Sequence, residues 1–322
     1  MPEPEKEKKE QTESPATLQI NAEQLKNILA EVITKAQQSN GWQDSLNAFQ
    51  NTEKKENPYI TKPNIDATKE KKLLGFKTYT FLDGLFYIDG IPFGSNTILV
   101  GIPNTGKSLL VMEIALKVAN SGKKVLFCTS EEAWHTENNR YDLESRFIEK
   151  SKVLGLEWKK LSENLIILDV ITHSELRDFT NFVENYKATI EKEKIELVLM
   201  DSLTLLEDSR GQIKFRLSEF CKYDQLHGVT AIFVSQRNGE DPDSIGSIAG
   251  SITLSHVADI LMCMDGKRLS SWDGIIKLDT NSKQGEDILF FRILKNRISR
   301  FKANYFKYSI SNDGLVKLDQ KV

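Results

Sequence analysis

Cysteine is scarce. The chain has three in 322 residues, Cys128, Cys221 and Cys263, far apart and without a Cys-x-x-Cys pair. That spacing excludes a zinc module and a disulfide framework as sources of stability. Cys128 and Cys263 fall inside apolar runs and are expected to act as small buried hydrophobes. Neither sign of charge dominates: 43 Lys and Arg stand against 46 Asp and Glu, a net charge of −3. The molecule therefore has no global attraction for nucleic acid, and any such contact has to come from a local patch. No apolar run approaches the roughly 20 residues of a membrane span. The N-terminus is charged and lacks the apolar core of a secretory signal, so the expectation is a cytoplasmic protein with no membrane partner. Internal repeats are absent too.

What is present suits a soluble α/β protein. Hydrophobic residues make up 39% and charged ones 28%, enough for one large domain and an appendage. Residues 1–19 are rich in Glu, Lys and Pro and read as disordered. Within 21–37, Leu25, Ile28, Leu29, Val32 and Ile33 recur at helical spacing, a short amphipathic helix. Residues 1–65 thus form a tail carrying one docking helix, whose apolar stripe calls for the core, a neighbouring subunit or a protein partner. From 66 to 322 the chain reads as one domain. Strands are predicted at 97–101, 124–129, 164–169, 195–201, 229–235 and 259–264, with helical patterns between most of them. Residues 175–192 are the clearest helix, with Thr172 and Glu175 as a capping box. Strands alternating with helices predict a doubly wound, mostly parallel sheet. After 270, the runs 273–280, 286–295 and 302–310 and the turn Asn312-Asp313-Gly314 read as antiparallel strands.

One segment carries most of the functional information. Gly101-Ile102-Pro103-Asn104-Thr105-Gly106-Lys107-Ser108 fits the phosphate-loop pattern G-x-x-x-x-G-K-[ST]. It follows the apolar run 97–100 and precedes helix formers from Leu109 to Asn120, with Gly122 as C-cap. The glycines let backbone N–H groups curl around a phosphate, and the helix N-terminus adds its positive end. Lys107 then reaches the β- and γ-phosphates of ATP, and the Ser108 hydroxyl holds Mg²⁺.

Two carboxylate sites lie nearby in the pattern. The apolar run 195–200 ends in Asp201-Ser202, which brings a carboxylate to the carboxyl edge of the sheet, where it binds Mg²⁺ through water. Glu131-Glu132 follow the strand after the phosphate-loop helix. A carboxylate there can orient and deprotonate an attacking water. The same pair would also serve as a helix cap or a solvated face.

Together these elements resemble the RecA superfamily, and within it KaiC-like ATPases and RadA-type recombinases. The resemblance rests on Leu82-Asp83, the segment from Gly90 to Ser95, the phosphate loop, Thr129-Ser130-Glu131-Glu132, Leu199 to Ser202, Ser235-Gln236, Leu254 to Asp259 and Lys295-Asn296-Arg297. It spans about residues 70–300. It implies that the phosphate loop through Leu109 binds ATP and that Ser108 and Asp201 hold Mg²⁺. It further implies that Glu131 activates water with Glu132 assisting, and that Gln236 senses the γ-phosphate. Lys295 and Arg297 would reach the nucleotide of a neighbouring subunit, which requires a homo-oligomeric ring or filament; a solvated basic strand edge is the simpler reading of the same two residues. Asn104 stands where KaiC-like proteins often have Gly. Neither a zinc finger nor a second phosphate loop is present, so the resemblance is to a single-domain paralogue. The favoured function is an ATPase acting on single-stranded DNA in repair or recombination. The alternative is a KaiC-like ATPase directed at proteins. Family DNA loops would fall near 204–216, with Arg210, Lys214 and Arg216, and near 237–250, whose start is acidic on balance. A basic run from Arg292 to Lys307, interleaved with Phe301, Tyr305 and Phe306, offers a second patch, which strand alternation would split between two faces.

Overall fold

The computed structural model describes residues 23, 26–28, 30–31, 34, 72–138, 140–203, 213–236, 256–268 and 285–319. The chain divides into two units, Met1–Glu70 and Lys71–Val322. In the first, the described residues between 23 and 34 are helical and Ile28 is 54% exposed. Leu25, Leu29, Val32 and Ile33, the rest of the predicted stripe, lie outside the described residues.

The second unit is built on a sheet of nine strands among the described residues. The strands are β3 (Asn96–Gly101), β4 (Val125–Thr129), β5 (Leu165–Asp169), β6 (Leu197–Asp201), β7 (Thr230–Gln236), β8 (Ile260–Arg268), β9 (Asp287–Asn296), β10 (Phe306–Ile310) and β11 (Val316–Leu318). Their order is β11-β10-β9-β8-β3-β7-β6-β4-β5. From β8 to β5 every pairing is parallel, and from β8 to β11 every pairing is antiparallel. A two-residue ribbon, β1 (Gly75–Phe76) with β2 (Ile91–Pro92), lies ahead of it in sequence. The central strands are apolar runs because a parallel sheet is covered on both faces.

Helices α1 (Lys107–Asn120), α2 (Leu143–Val153) and α3 (Trp158–Ser162) contribute to one core, with Leu110, Ile114, Phe147 and Leu161 set against Leu99, Phe127 and Leu199. Helices α4 (Phe179–Glu193) and α5 (Ile213–His227) cover the other face, with Phe182, Tyr186, Leu217 and Phe220 against Ile98, Val198 and Phe233. All three cysteines are buried and free. This is the doubly wound sheet with antiparallel C-terminal strands that the pattern predicts.

Three local expectations need correction or restriction. The capping box at Thr172 and Glu175 does not form. Thr172 instead donates its N–H and hydroxyl to Asp169, residues 174–177 make a 3-10 turn, and Asp178 caps α4 by accepting from Asn181 N at 3.0 Å. Local hydrogen-bonding competition of this kind decides where a helix starts. Lys214 and Arg216 lie on α5 and not in a loop, and Arg216 sits 4.5 Å over the Phe179 ring. Residues 204–212, 237–255 and 269–284, which include both expected DNA loops' remaining positions and the run 273–280, lie outside the described residues.

Candidate functional site

β3 runs up the middle of the sheet, and the chain leaves it to cross over α1 to β4, with β7 and β6 lying between the two strands. The crevice at the carboxyl ends of these strands is where doubly wound sheets bind ligands. The phosphate loop opens there. Gly101 has no room for a side chain, since a Cβ would lie 1.8 Å from Met264 O on β8. Asn104 and Gly106 both take positive φ, 64° and 85°. Asn is the non-glycine residue that tolerates this region, which explains how Asn104 can hold the loop's path without a glycine. Thr105 closes the loop by donating its hydroxyl to Ile102 O at 2.9 Å. α1 then begins with no side-chain cap on its N-terminus. Its first N–H groups and dipole are left to serve an anion.

Lys107 is only 8% exposed and lies across the loop, donating to Gly101 O at 2.9 Å and Ile102 O at 2.7 Å. Burial lowers its pKa, and the nearby charges of Asp201 and Glu131 work against that shift. Asp201, the last residue of β6, has its pKa pushed up to about 6, first by burial. A hydrogen bond from Ser108 opposes the rise and the charge of Glu131 adds to it. Ser108 and Asp201 therefore meet as a pair of hard oxygen donors in a region crowded with carboxylates, which fits Mg²⁺ held by protein, phosphate and water.

The two glutamates differ in their surroundings. Ser202 Oγ donates to Glu131 Oε1 at 2.5 Å. Ser202 is itself clamped to Ser130, whose Oγ accepts from Ser202 N and donates to Ser202 O, both at 3.0 Å. Ser130 N in turn donates to Asp201 O at 3.1 Å. Glu131 is thereby tied to the end of β6 beside Asp201. Glu132 instead pairs with Arg146 of α2, while its carbonyl accepts from Thr129 Oγ1 at 2.6 Å. Gln236 ends β7 directly opposite Gly101 in the parallel register.

The C-terminal hairpin braces the loop. Tyr308 OH donates to Thr105 O at 2.6 Å, and a Cβ on Gly106 would strike Ile310 Cδ1 at 2.8 Å. Lys150 of α2 donates to Gly314 O at the hairpin turn. Sequence reasoning missed Ser130, Ser202, Arg146 and Tyr308 as members of this site. The two serines were visible in Thr-Ser-Glu-Glu and Asp-Ser, but nothing local pairs them.

Lys295 and Arg297 are elsewhere. β8 and β9 pair with Leu261 opposite Lys295, and Leu261 is opposite Ile98 near the start of β3. Arg297 N donates to Asp259 O, and Asp259 N donates to Asn96 O. Arg297 thus lies level with Asn96, five residues of strand below Gly101, about 16 Å at the usual rise. Both cations sit at the amino edge of the sheet, away from their own phosphate loop. Of the remaining basic run, Arg292 packs over Tyr305 and Lys307 pairs with Glu286.

The family model for KaiC ATPases matches residues 76–322. The chain belongs to the KaiC ATPase family. Among curated relatives, the DNA repair protein RadA of Aquifex aeolicus is 29% identical over 238 residues, 70% of this chain and 46% of that protein. RadA of Helicobacter pylori is 24% identical over 248 residues, 72% of this chain and 49% of that protein. RadA of Bacillus subtilis is 22% identical over 180 residues, 56% and 34%. The chain spans about half or less of the length of these relatives. A KaiC-like protein of Pyrococcus horikoshii shares the fold, with a TM-score of 0.58 at 18% identity over 77% of this chain and all of that one. The resemblance to RecA-superfamily ATPases of the RadA and KaiC type is thereby supported. No helix among its described residues is long and apolar enough to cross a membrane.

Proposed function

We propose that this chain binds ATP with Mg²⁺, hydrolyses it between the subunits of a ring or filament, and acts on DNA in repair or recombination. The observation that carries the reading is the division of charged groups between the two edges of one sheet. Lys107, Glu131 and Asp201 gather at the carboxyl edge beside the Ser108 hydroxyl, whereas Lys295 and Arg297 lie at the amino edge. A head-to-tail contact between copies brings one edge against the other, the arrangement that yields rings or filaments.

The backbone of Gly101, Pro103, Asn104, Thr105, Gly106 and Leu109 cradles the phosphates, and Lys107 offsets charge on the β- and γ-phosphates. Ser108 and Asp201 would hold Mg²⁺, which when bound neutralises charge developing on the phosphoryl oxygens. Glu131, oriented by Ser202, takes the proton of the attacking water, and Glu132 assists. Gln236 senses the γ-phosphate. Arg297 and Lys295 of an adjacent copy stabilise the transition-state charge.

The experiment mixes two variants of the full chain. Arg297→Ala and Glu131→Gln should each hydrolyse ATP poorly, and mixed assemblies should regain turnover at interfaces that join an intact Glu131 to an intact Arg297. Mixed assemblies that stay inactive would rule out action across the interface. The DNA part leans on the relatives described as DNA repair proteins. Stimulation of turnover by single-stranded DNA is the expected result. A second reading, an ATPase directed at protein partners, is favoured by the acidic balance of residues 237–243. Turnover indifferent to DNA would support it.

A further inference from the structure

Asp259, just ahead of β8, is 2% exposed, and its carboxylate is held from three elements. Oδ2 accepts from Asn96 N of β3 at 2.9 Å and from Gln225 Nε2 of α5 at 3.1 Å. Oδ1 takes its two short contacts from one side chain, Arg297 Nε at 2.6 Å and Arg297 Nη2 at 2.5 Å, with a longer one from Gln225 Nε2 at 3.4 Å. Oδ2 is thus held by the scaffold alone, while the short contacts of Oδ1 go to Arg297 and Gln225 bridges both oxygens.

A guanidinium is a planar fork with five N–H groups. Asp259 grips one edge, along Nε and Nη2. By that planarity the opposite edge, around Nη1, points away from Asp259, and the side chain is 47% exposed. Its flanks are fixed as well. Asn296 Oδ1 accepts from Ile298 N at 2.9 Å and Ser299 N at 3.3 Å, and Lys295 Nζ donates to Ala258 O at 2.9 Å. The rotamer freedom that an arginine gives up on meeting an anion has been given up here in folding, which is the preorganisation a transition-state donor needs. Because the ion pair nearly cancels local charge, Arg297 acts more through two fixed N–H directions than through a long-range field.

We infer that Asp259 is the positioning residue for Arg297. It holds the guanidinium side-on at the amino edge of the sheet so that the outward edge meets the terminal phosphate of a nucleotide bound by a second copy of the chain. This rests on the reading that Arg297 serves a neighbouring subunit.

The test is a double-mutant cycle in ATP turnover on the full chain, with assembly size and nucleotide affinity measured alongside. Asp259→Asn keeps the shape but turns an amide toward either Gln225 or the guanidinium. It should lower kcat by about tenfold or more and leave KM for ATP within roughly threefold. In an Arg297→Ala background the same substitution should change kcat by less than about twofold, since the residue it positions is gone. Gln225→Ala, which removes one anchor and leaves the charge, should lower kcat in the same direction by a smaller factor, and it serves if Asp259→Asn does not fold. Two results overturn the inference while the trans reading stands: Asp259→Asn with full kcat beside an impaired Arg297→Ala, or an equal loss in both backgrounds. Full activity of Arg297→Ala removes the trans reading itself, and this inference with it.

Discussion

At the scale of single residues, burial acts on two charges of the site, pulling the Lys107 pKa down and pushing that of Asp201 up. Lys107 is buried across the loop and its charge is offset by Asp201 and Glu131. Lys107→Ala should therefore abolish ATP turnover with little change in thermal midpoint, because the side chain bonds only to loop carbonyls. Calorimetry beside an ATPase assay checks both halves, and unchanged hydrolysis would refute the assignment. Glu131→Gln keeps shape and the hydrogen bond from Ser202 but removes the base. Turnover should fall by roughly a hundredfold while ATP still binds. A far larger loss in Glu132→Gln would reverse the two roles. The contrast in environment argues for Glu131, which is tied to the end of β6 by Ser202, while Glu132 is drawn off by Arg146.

At the scale of elements, two contacts between distant segments have measurable consequences. The buried Tyr308 hydroxyl on β10 is bonded to Thr105 O in the phosphate loop. Tyr308→Phe should cost about 1 kcal/mol of stability and weaken nucleotide binding several-fold, as read by denaturant titration and nucleotide fluorescence. On the other face, Asp224 of α5 is fully buried against Tyr186 of α4, whose hydroxyl donates to both carboxylate oxygens. Burial pushes the Asp224 pKa up to about 8, with the Tyr186 hydrogen bond opposing. A carboxyl whose folded pKa lies above its unfolded one holds a proton that the unfolded chain has lost. Stability from this group is then greatest at low pH and falls as pH rises from about 4 to about 8. Asp224→Asn keeps an acceptor for Tyr186 and removes the ionisation. The denaturant midpoint of the variant should vary much less between pH 5 and pH 8 than that of the unaltered chain. Parallel curves would show that Asp224 is not the group responsible.

At the scale of the whole molecule, the family match begins at residue 76, and the proposal is that residues 1–65 form a tail apart from the ATPase domain. Deleting residues 1–65 should leave nucleotide binding in place and alter assembly or partner binding. Equilibrium binding and light scattering on the truncated chain decide this, and loss of ATP binding would make the tail part of the ATPase fold. The head-to-tail arrangement proposed for catalysis adds an expectation of its own: turnover per subunit should rise with concentration through the range in which the assembly forms.

Much of this protein was legible in its one-dimensional pattern, and for local reasons. A parallel strand covered on both faces must be an apolar run, so β3, β4, β6 and β7 announced themselves within a residue or two of their observed ends. The phosphate loop was legible because its backbone path demands Gly or Asn at positive φ and a cation on the first helical turn. What remained hidden depends on strand order, which local pattern does not encode. The neighbourhood of β4 and β6 brings Ser202 to Glu131 across 71 residues. The hairpin sets Tyr308 on Thr105 across 203 residues. The antiparallel turn-back of β9 carries Arg297 to the amino edge of the sheet and into the grip of Asp259. Residue types named the chemistry, because phosphate, metal and proton transfer each admit few side chains. Only the tertiary structure decided which carboxylate faces which partner, because that follows from which strands lie side by side.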